Sequence, residues 1–230
     1  MTRVKICCIG SIEEAELAVR HGAHALGLVS WMPSGPGVIP DARIRDIAAA
    51  VPPGIHTFLL TCRRDPDEIA AQQCRAGVDT VQLVDRMSVA DLVALRTKLP
   101  GISLIQVVHV TGEGAIAEAR RVEPYVDAIL LDSGTPDAAR RELGGTGRVH
   151  DWSISTKIVR NVASPVFLAG GLGPDNVAEA IRRVRPHGVD VCSGLRPRGH
   201  LDEALLGRFF RAVRDASADP GGSRIATGRE

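Results

Sequence analysis

PVFLAGGLGPDNVAEAIRRVRPHGVDVCSG, residues 165–194, decides the fold. It opens on an apolar run, PVFLAG (165–170), passes through a glycine turn, and enters NVAEAIRRVRP (176–186), whose apolar residues recur at helical spacing. It then closes on a second apolar run, VDVCSG (189–194). A strand, a helix and a second strand in so short a span form a βαβ crossover, which joins parallel strands.

The same alternation extends outward from this unit. Further strand candidates are VKICCI (4–9), ALGLVS (25–30), IHTFLLT (55–61), TVQLVD (80–85), SLIQVVHV (103–110) and AILLDS (128–133). Amphipathic helical patterns follow them, among them IEEAELAVRHG, DARIRDIAAAV, PDEIAAQQCRAG, VADLVALRTKL, IAEARRVEP and LDEALLGRFFRAVRD. Several stop at Gly or Pro. Most strand ends lie about 23–24 residues apart, which suits one βα unit each. Two intervals are longer and hold SWMPSGPGVIP (30–40) and DSGTPDAARRELGGTGRVHDW (132–152). Eight such units predict an α/β fold, a single (β/α)8 barrel over residues 1–215, with both long loops on its catalytic face. A doubly wound open sheet competes, but its usual glycine-rich first turn is reduced here to ICCIGSIEE. The polar, glycine-rich end, residues 216–230, reads as a disordered tail.

Composition narrows the class. The net charge is +1 and aromatics make up 3%, so neither nucleic acid nor a charged membrane surface is an expected partner. No apolar run reaches the roughly 18 residues a membrane helix needs. The start, MTRVKICCIGSIEE, turns acidic too early for a secretory signal, and a cytoplasmic location is expected. Five cysteines without a CxxC pair argue against a disulfide framework or a structural zinc site.

In a barrel the C-terminal ends of the strands converge on one pocket. Those ends collect Cys7, Cys8, Ser30, Thr61, Asp85, His109, Asp132, Gly170, Gly171, Ser193 and Gly194. Strand alternation would turn Cys7 and Cys8 to opposite faces, with Lys5 sharing the side of Cys7. A buried Cys is usually a small hydrophobe, but one facing a pocket can act as a base. Asp132 closes an apolar strand, where desolvation raises a carboxyl pKa toward the range of a general acid; a salt-bridged or capping Asp is the plainer reading. The glycine turns after the last two strands offer backbone N–H groups to a phosphate, and otherwise serve as tight turns. Gly144, Gly145 and Gly147 suit a flap or a plain surface loop, and lack the GK[ST] of a P-loop. No His/Asp/Glu set with ligand spacing sits at the strand ends, and no Lys stands at one, which disfavours metal-dependent and Schiff-base barrels.

VKICCI, LLDS (130–133), GGTGRVHDW (144–152), PVFLAGGLGPDNV and GVDVCSG resemble, in order and over residues 3–215, the phosphoribosylanthranilate isomerase family. The resemblance implies a (β/α)8 barrel that performs an Amadori rearrangement without metal or cofactor. An N-(5-phosphoribosyl) arylamine becomes a 1-deoxyribulose 5-phosphate. It implies Cys7 as general base and Asp132 as general acid. It implies a phosphate site at Gly170, Gly171, Ser193 and Gly194, with Gly145 and Thr146 closing over the substrate. Asp190, in VDV, also matches a family position and would be either structural or a support for the phosphate end. The enzyme would be a monomer or homodimer taking a phosphorylated sugar as its small-molecule substrate.

Four positions depart from the family pattern, all on the aglycone or base side. Cys8 replaces a glycine. Gly37, in SGPGVI, stands where an Arg grips the anthranilate carboxylate. Val84 replaces a His, with Asp85 next to it, and His109 replaces an Arg on the fifth strand. Arg3, Arg63, Arg86 and Arg148 are candidate compensating cations, and Trp31 either stacks on the aglycone or packs at the surface. The aglycone pocket is therefore expected around Trp31, Gly37, Asp85 and His109. Retained chemistry with altered aglycone contacts also fits a relative acting on a different ribosyl 5-phosphate conjugate. A non-catalytic barrel that binds a phosphometabolite is a third reading.

Overall fold

The computed structural model describes residues 1–134 and 149–218. Among these, eight parallel strands alternate with eight helices: β1 (Arg3–Ile6), α1 (Ile12–His21), β2 (Ala25–Val29), α2 (Asp41–Ala50), β3 (His56–Thr61), α3 (Pro66–Ala76), β4 (Thr80–Leu83), α4 (Val89–Lys98), β5 (Ser103–His109), α5 (Gly114–Val122), β6 (Ala128–Asp132), α6 (Trp152–Asn161), β7 (Val166–Leu168), α7 (Val177–Val184), β8 (Gly188–Val191) and α8 (Glu203–Ala218). The strands close in sequence order into a barrel, with β1 bonded to both β2 and β8. The expected (β/α)8 architecture is therefore the observed one.

Side-chain alternation divides the core into two layers. Val4, Ile6, Leu26, Leu28, Leu59, Val81, Leu83 and their counterparts on later strands face the helices. Ala25, Val29, Phe58, Leu60, Ile105, Val107, Leu130 and Phe167 fill the barrel itself. The helices follow from local signals. α7 buries Val177, Ala180, Ile181 and Val184, one stripe at helical spacing. Side chains of Ser11, Asp65 and Ser88 accept hydrogen bonds from first-turn amides of α1, α3 and α4, each cap stabilising its helix by about 1 kcal/mol. α6, absent from the helical patterns quoted above, starts behind an Asp151 cap.

Two expectations are corrected. β1, β4, β7 and β8 stop two to three residues short of the apolar runs that predicted them, because the backbone leaves the ladder at the mouth. Cys8 has φ 62° and Gly170 φ 85°, and Ser193–Leu195 form a 3-10 turn. The last helix runs to Ala218, three residues past the expected boundary at 215, because Val213 and Ala216 still pack into the core. Residues 219–230 lie outside the described part. Among the described residues, no helix is long and apolar enough to cross a membrane.

Among the described residues, the barrel interior holds a buried ion pair. Lys5 is 0% exposed, and its Nζ lies 2.9 Å from Asp190 Oδ2 and 5.4 Å from the Phe58 ring centroid. Burial opposes the ammonium, but the Asp190 carboxylate and the Cys7 and Cys8 thiols outweigh it, so the lysine pKa is raised. Stability from this pair is complete below the ordinary lysine pKa and fades only as pH climbs through the raised value. Asp190→Asn strands the ammonium in the barrel, and equilibrium urea denaturation at neutral pH is expected to register a loss of about 3–5 kcal/mol.

Candidate active site

The site is built at the C-terminal ends of the strands, where one cavity is lined from several loops at once. Cys7 and Cys8 come from the segment after β1, Met32, Ser34, Gly35 and Pro36 from the loop after β2, and Asp132 from the end of β6. Gly170, Gly171 and Leu172 follow β7, and Cys192 and Ser193 follow β8. Val29, Leu60, Gln82, Val84, Ala169 and Asp190 complete the wall.

Cys7 is buried just beyond the end of β1, where its N–H still donates to the Val191 carbonyl at 2.9 Å. Glycine at 27 makes room for it. A Cβ there would stand 2.8 Å from Cys7 Sγ and 2.9 Å from Lys5 Nζ, so thiol and ammonium share that space. The Cys7 pKa is lowered below that of an ordinary thiol. The hydrogen bond from Cys8 contributes most, burial opposes it, and the Lys5 charge adds to the lowering. A clamp fixes the following backbone. Arg196 reaches Glu14 through Nη1 at 2.8 Å and Nη2 at 2.9 Å, while Nη2 also donates to the Cys7 carbonyl at 3.4 Å. Glu14 in turn accepts from the N–H of Gly10 at 3.0 Å.

The expectation that Cys7 and Cys8 face opposite ways, with Cys8 packed away from the barrel, is overturned. The strand ends at Ile6, and the left-handed backbone at Cys8 turns its side chain back, so both thiols line the cavity. That conformation costs a non-glycine residue about 1–2 kcal/mol. The Cys8 pKa is raised, first by its hydrogen bonds with Cys192 and Cys7 and then by burial, which keeps it a thiol and a donor.

Asp132 opens onto the cavity from the other side. Its Oδ1 accepts from the Ser133 N–H at 2.7 Å. Burial raises its pKa above the usual carboxylate value, against the lowering effects of that N–H and of His109, its register partner on β5.

The phosphate candidates divide. Gly170, Gly171 and Ser193 line the cavity, and both glycines are left-handed, at φ 85° and 63°. Gly194 lies behind the wall. A Cβ on it would run into the Leu172 carbonyl oxygen, so glycine there lets the β7 and β8 loops pack against each other. Asn176 braces the first of these loops, accepting from the Gly173 N–H at 2.8 Å and donating to the Gly171 carbonyl at 3.0 Å. Gly144, Gly145, Thr146, Gly147 and Arg148 lie outside the described residues.

The aglycone candidates stand apart from the cavity lining. Trp31 is 70% exposed, and its neighbour Met32 takes the place on the wall. Asp85 is buried and accepts from the Arg86 N–H at 3.0 Å. His109 donates through Nε2 to the Val84 carbonyl at 3.1 Å and borders a neighbouring surface cleft with Arg86 and Arg121. Gly37 sits behind Cys8. Arg63 and Arg86 are engaged at the surface with Glu68 and Glu118.

Several residues escaped the sequence reading. Met32, Ser34, Pro36, Leu60, Gln82 and Cys192 join the wall without any motif of their own. His150 sits beside the Gly170 turn, with Nε2 2.7 Å from Ser155 Oγ, and burial pushes its pKa down to about 4, so it is neutral at pH 7. The usable signal was its place inside GGTGRVHDW.

With this geometry in place, the comparisons are direct. The family described as N-(5'phosphoribosyl)anthranilate (PRA) isomerase matches residues 4–212. The N-(5'-phosphoribosyl)anthranilate isomerase 2 of Methanosarcina mazei is 41% identical over 93% of this chain and 94% of its own length. The corresponding protein of Haloferax volcanii is 40% identical over 93% of each chain. Among solved structures, phosphoribosyl anthranilate isomerase from Thermotoga maritima superposes with a TM-score of 0.81 at 30% identity, covering 94% of this chain and all of the other. A phosphoribosyl anthranilate isomerase in complex with reduced 1-(o-carboxyphenylamino)-1-deoxyribulose 5-phosphate superposes at 0.78 with 27% identity, covering 94% and 100%.

The packing of the β7 and β8 loops is testable without any substrate. Gly194→Ala drives a methyl into a backbone carbonyl that cannot swing aside, and urea denaturation is expected to show a loss of about 1–3 kcal/mol.

Proposed function

Because the chain belongs to the N-(5'-phosphoribosyl)anthranilate isomerase family, we propose that its cavity performs the rearrangement with Cys7 as base and Asp132 as acid. The protein is an aldose–ketose isomerase, and its substrate is a phosphorylated small molecule. It converts N-(5-phosphoribosyl)anthranilate to the corresponding 1-deoxyribulose 5-phosphate, the step named for its relatives in tryptophan biosynthesis. A different ribosyl conjugate as substrate finds no favour among relatives that share one name over nearly the whole chain.

The observation that carries the residue assignment is that Cys7 and Asp132 line one cavity with pKa values displaced toward each other. Asp132 in its protonated form donates to the furanose ring oxygen. The C1–O bond breaks and the ring opens to a Schiff base. The Cys7 thiolate then takes the proton from C2, leaving an enolamine. In the tautomerisation the Cys7 thiol gives its proton to C1 and the Asp132 carboxylate takes the proton of the O2 hydroxyl, so the ketose forms and both residues regain their starting states. Lys5 supports the thiolate form of the base, and the apolar strand behind Asp132 supports the neutral form of the acid. Gly170, Gly171 and Ser193 hold the phosphate through backbone amides and a hydroxyl. The apolar stretch of wall formed by Val29, Met32, Leu60 and Val84 receives the aryl ring.

All of these residues come from one chain, so a monomer or a homodimer serves equally. Five free cysteines suit a reducing cytoplasm. Neither nucleic acid nor a membrane has a part in this scheme.

The test is turnover of freshly generated phosphoribosylanthranilate, followed by its fluorescence. Cys7→Ser and Asp132→Asn are each expected to lower kcat/KM by about 10²–10⁴-fold while leaving binding of the reduced product analogue within a few-fold. Wild-type turnover by either variant would remove that residue from the mechanism. The pH profile supplies a second check. The base must be ionised, so one limb rises through a pKa below the thiol value of 9.0. The acid must be protonated, so the other falls through a pKa above the carboxylate value of 3.8. A bell with both limbs inside that interval is expected for kcat/KM, and Asp132→Asn should erase one limb from the residual activity.

A further inference from the structure

Cys8 has no part in the acid–base scheme as a proton carrier, yet it is one of only two described non-glycine residues with positive φ, the other being Arg185 at the end of α7. Arg185 closes a helix, a common place for left-handed backbone. Cys8 lies in the cavity wall, where such strain points to a role in the site. Its thiol stands between Cys192 on one side and the loop after β2 on the other, with Sγ 3.6 Å from the Pro36 carbonyl oxygen.

Gly37 completes the arrangement. It too is left-handed, at φ 79°. A Cβ on it would stand 2.5 Å from Cys8 Cβ and 3.0 Å from both Cys8 Cα and Cys8 Sγ. Real Cβ atoms essentially never approach so closely, so a side chain at position 8 and one at position 37 compete for the same space. The chain gives that space to the thiol.

We infer that Cys8 is a specificity-determining residue, forming with Gly37 a steric pair that fixes how far the cavity extends toward the loop after β2, and so how large an aryl group it admits. This rests on the reading of the cavity as the substrate site. With the phosphate at the β7 and β8 turns and the sugar between Cys7 and Asp132, the aryl ring is left to the wall of Val29, Met32, Leu60 and Val84, and the Cys8–Pro36 contact closes the edge of that wall.

The experiment measures binding as well as turnover. Two stable ligands are used: reduced 1-(o-carboxyphenylamino)-1-deoxyribulose 5-phosphate and the same compound with a methyl group added to the ring. Their Kd ratio is measured by calorimetry for wild type, Cys8→Gly, Cys8→Ala and Cys8→Ser. Pocket contacts of one methyl group discriminate by about 10–200-fold. Cys8→Gly is expected to shift the ratio at least tenfold toward the methylated ligand, Cys8→Ala less in the same direction, and Cys8→Ser by under about twofold.

Glycine suits φ 62°, so Cys8→Gly should fold with an equal or higher Tm. Gly37→Ala should weaken both ligands in the Cys8 background and much less in the Cys8→Gly background. An unchanged ratio in folded Cys8→Gly, or an effect of Gly37→Ala that is the same in both backgrounds, would overturn the proposal. Because the readout is a binding ratio, it is independent of any change in the Cys7 base. Absence of turnover by wild type with the ratios behaving as stated would instead sink the catalytic reading and leave this one standing. If neither ligand binds, both readings fall.

Discussion

The Lys5–Asp190 ion pair is the constraint on which the barrel and its chemistry both depend. The two residues are register partners across the β1–β8 seam, where the sheet closes on itself. An ammonium with no solvent exposure must be neutralised or paired, and only one alignment of β1 on β8 pairs it. A one-residue slip would turn Lys5 toward the helices and carry its hydrophobic neighbours into the barrel. The pair thus ties the seam's register to an electrostatic requirement.

That requirement also reaches the base. Cys7 lies two residues after Lys5 on the same side, and the glycine at 27 leaves space for both their polar atoms. The Cys8 hydrogen bond, the larger effect, and the ammonium together favour a thiolate that burial alone would suppress. Asp132 meets the opposite balance, because burial dominates there and favours the neutral acid. One cavity holds the proposed acid, whose neutral form burial favours, and the proposed base, whose ionised form nearby donors and charge favour. Two groups whose ordinary pKa values would place them in the wrong states at neutral pH are thereby brought toward the same range.

The barrel was legible because apolar runs and amphipathic helical patterns alternate along the chain, each a local signal, with α6 the helix no quoted pattern marked. Cys7, Asp132, Gly170, Gly171 and Ser193 were legible because position at a strand end determines convergence in this architecture. The rest of the cavity wall was not, for two physical reasons. A loop such as residues 30–40 has no period, so nothing in SWMPSGPGVIP distinguishes Met32, which faces the cavity, from Trp31, which is exposed. Strand parity also fails once the strand has ended. Asp85 lies past the end of β4, whereas His109 is the last residue of β5 and still follows its ladder; a hydrogen bond to the nearby backbone holds each outside the cavity lining. Cys8 is the clearest case, since alternation would have been right had the strand continued past Ile6.

That failure is informative in itself. Locally consistent sequences break their own rules mainly at functional sites, and Cys8 breaks one where glycine would have been free of strain. The departures at positions 8 and 37 look independent in sequence, 29 residues apart. In the structure they are one exchange of volume, because the Cβ missing from Gly37 is what the Cys8 side chain requires. The space left open at Gly37 is the space the Cys8 side chain fills, so the two positions shape one edge of the cavity wall. Cys8 thereby touches both halves of the proposed site: its hydrogen bond lowers the pKa of Cys7, and its volume beside Gly37 bounds the cavity toward the loop after β2.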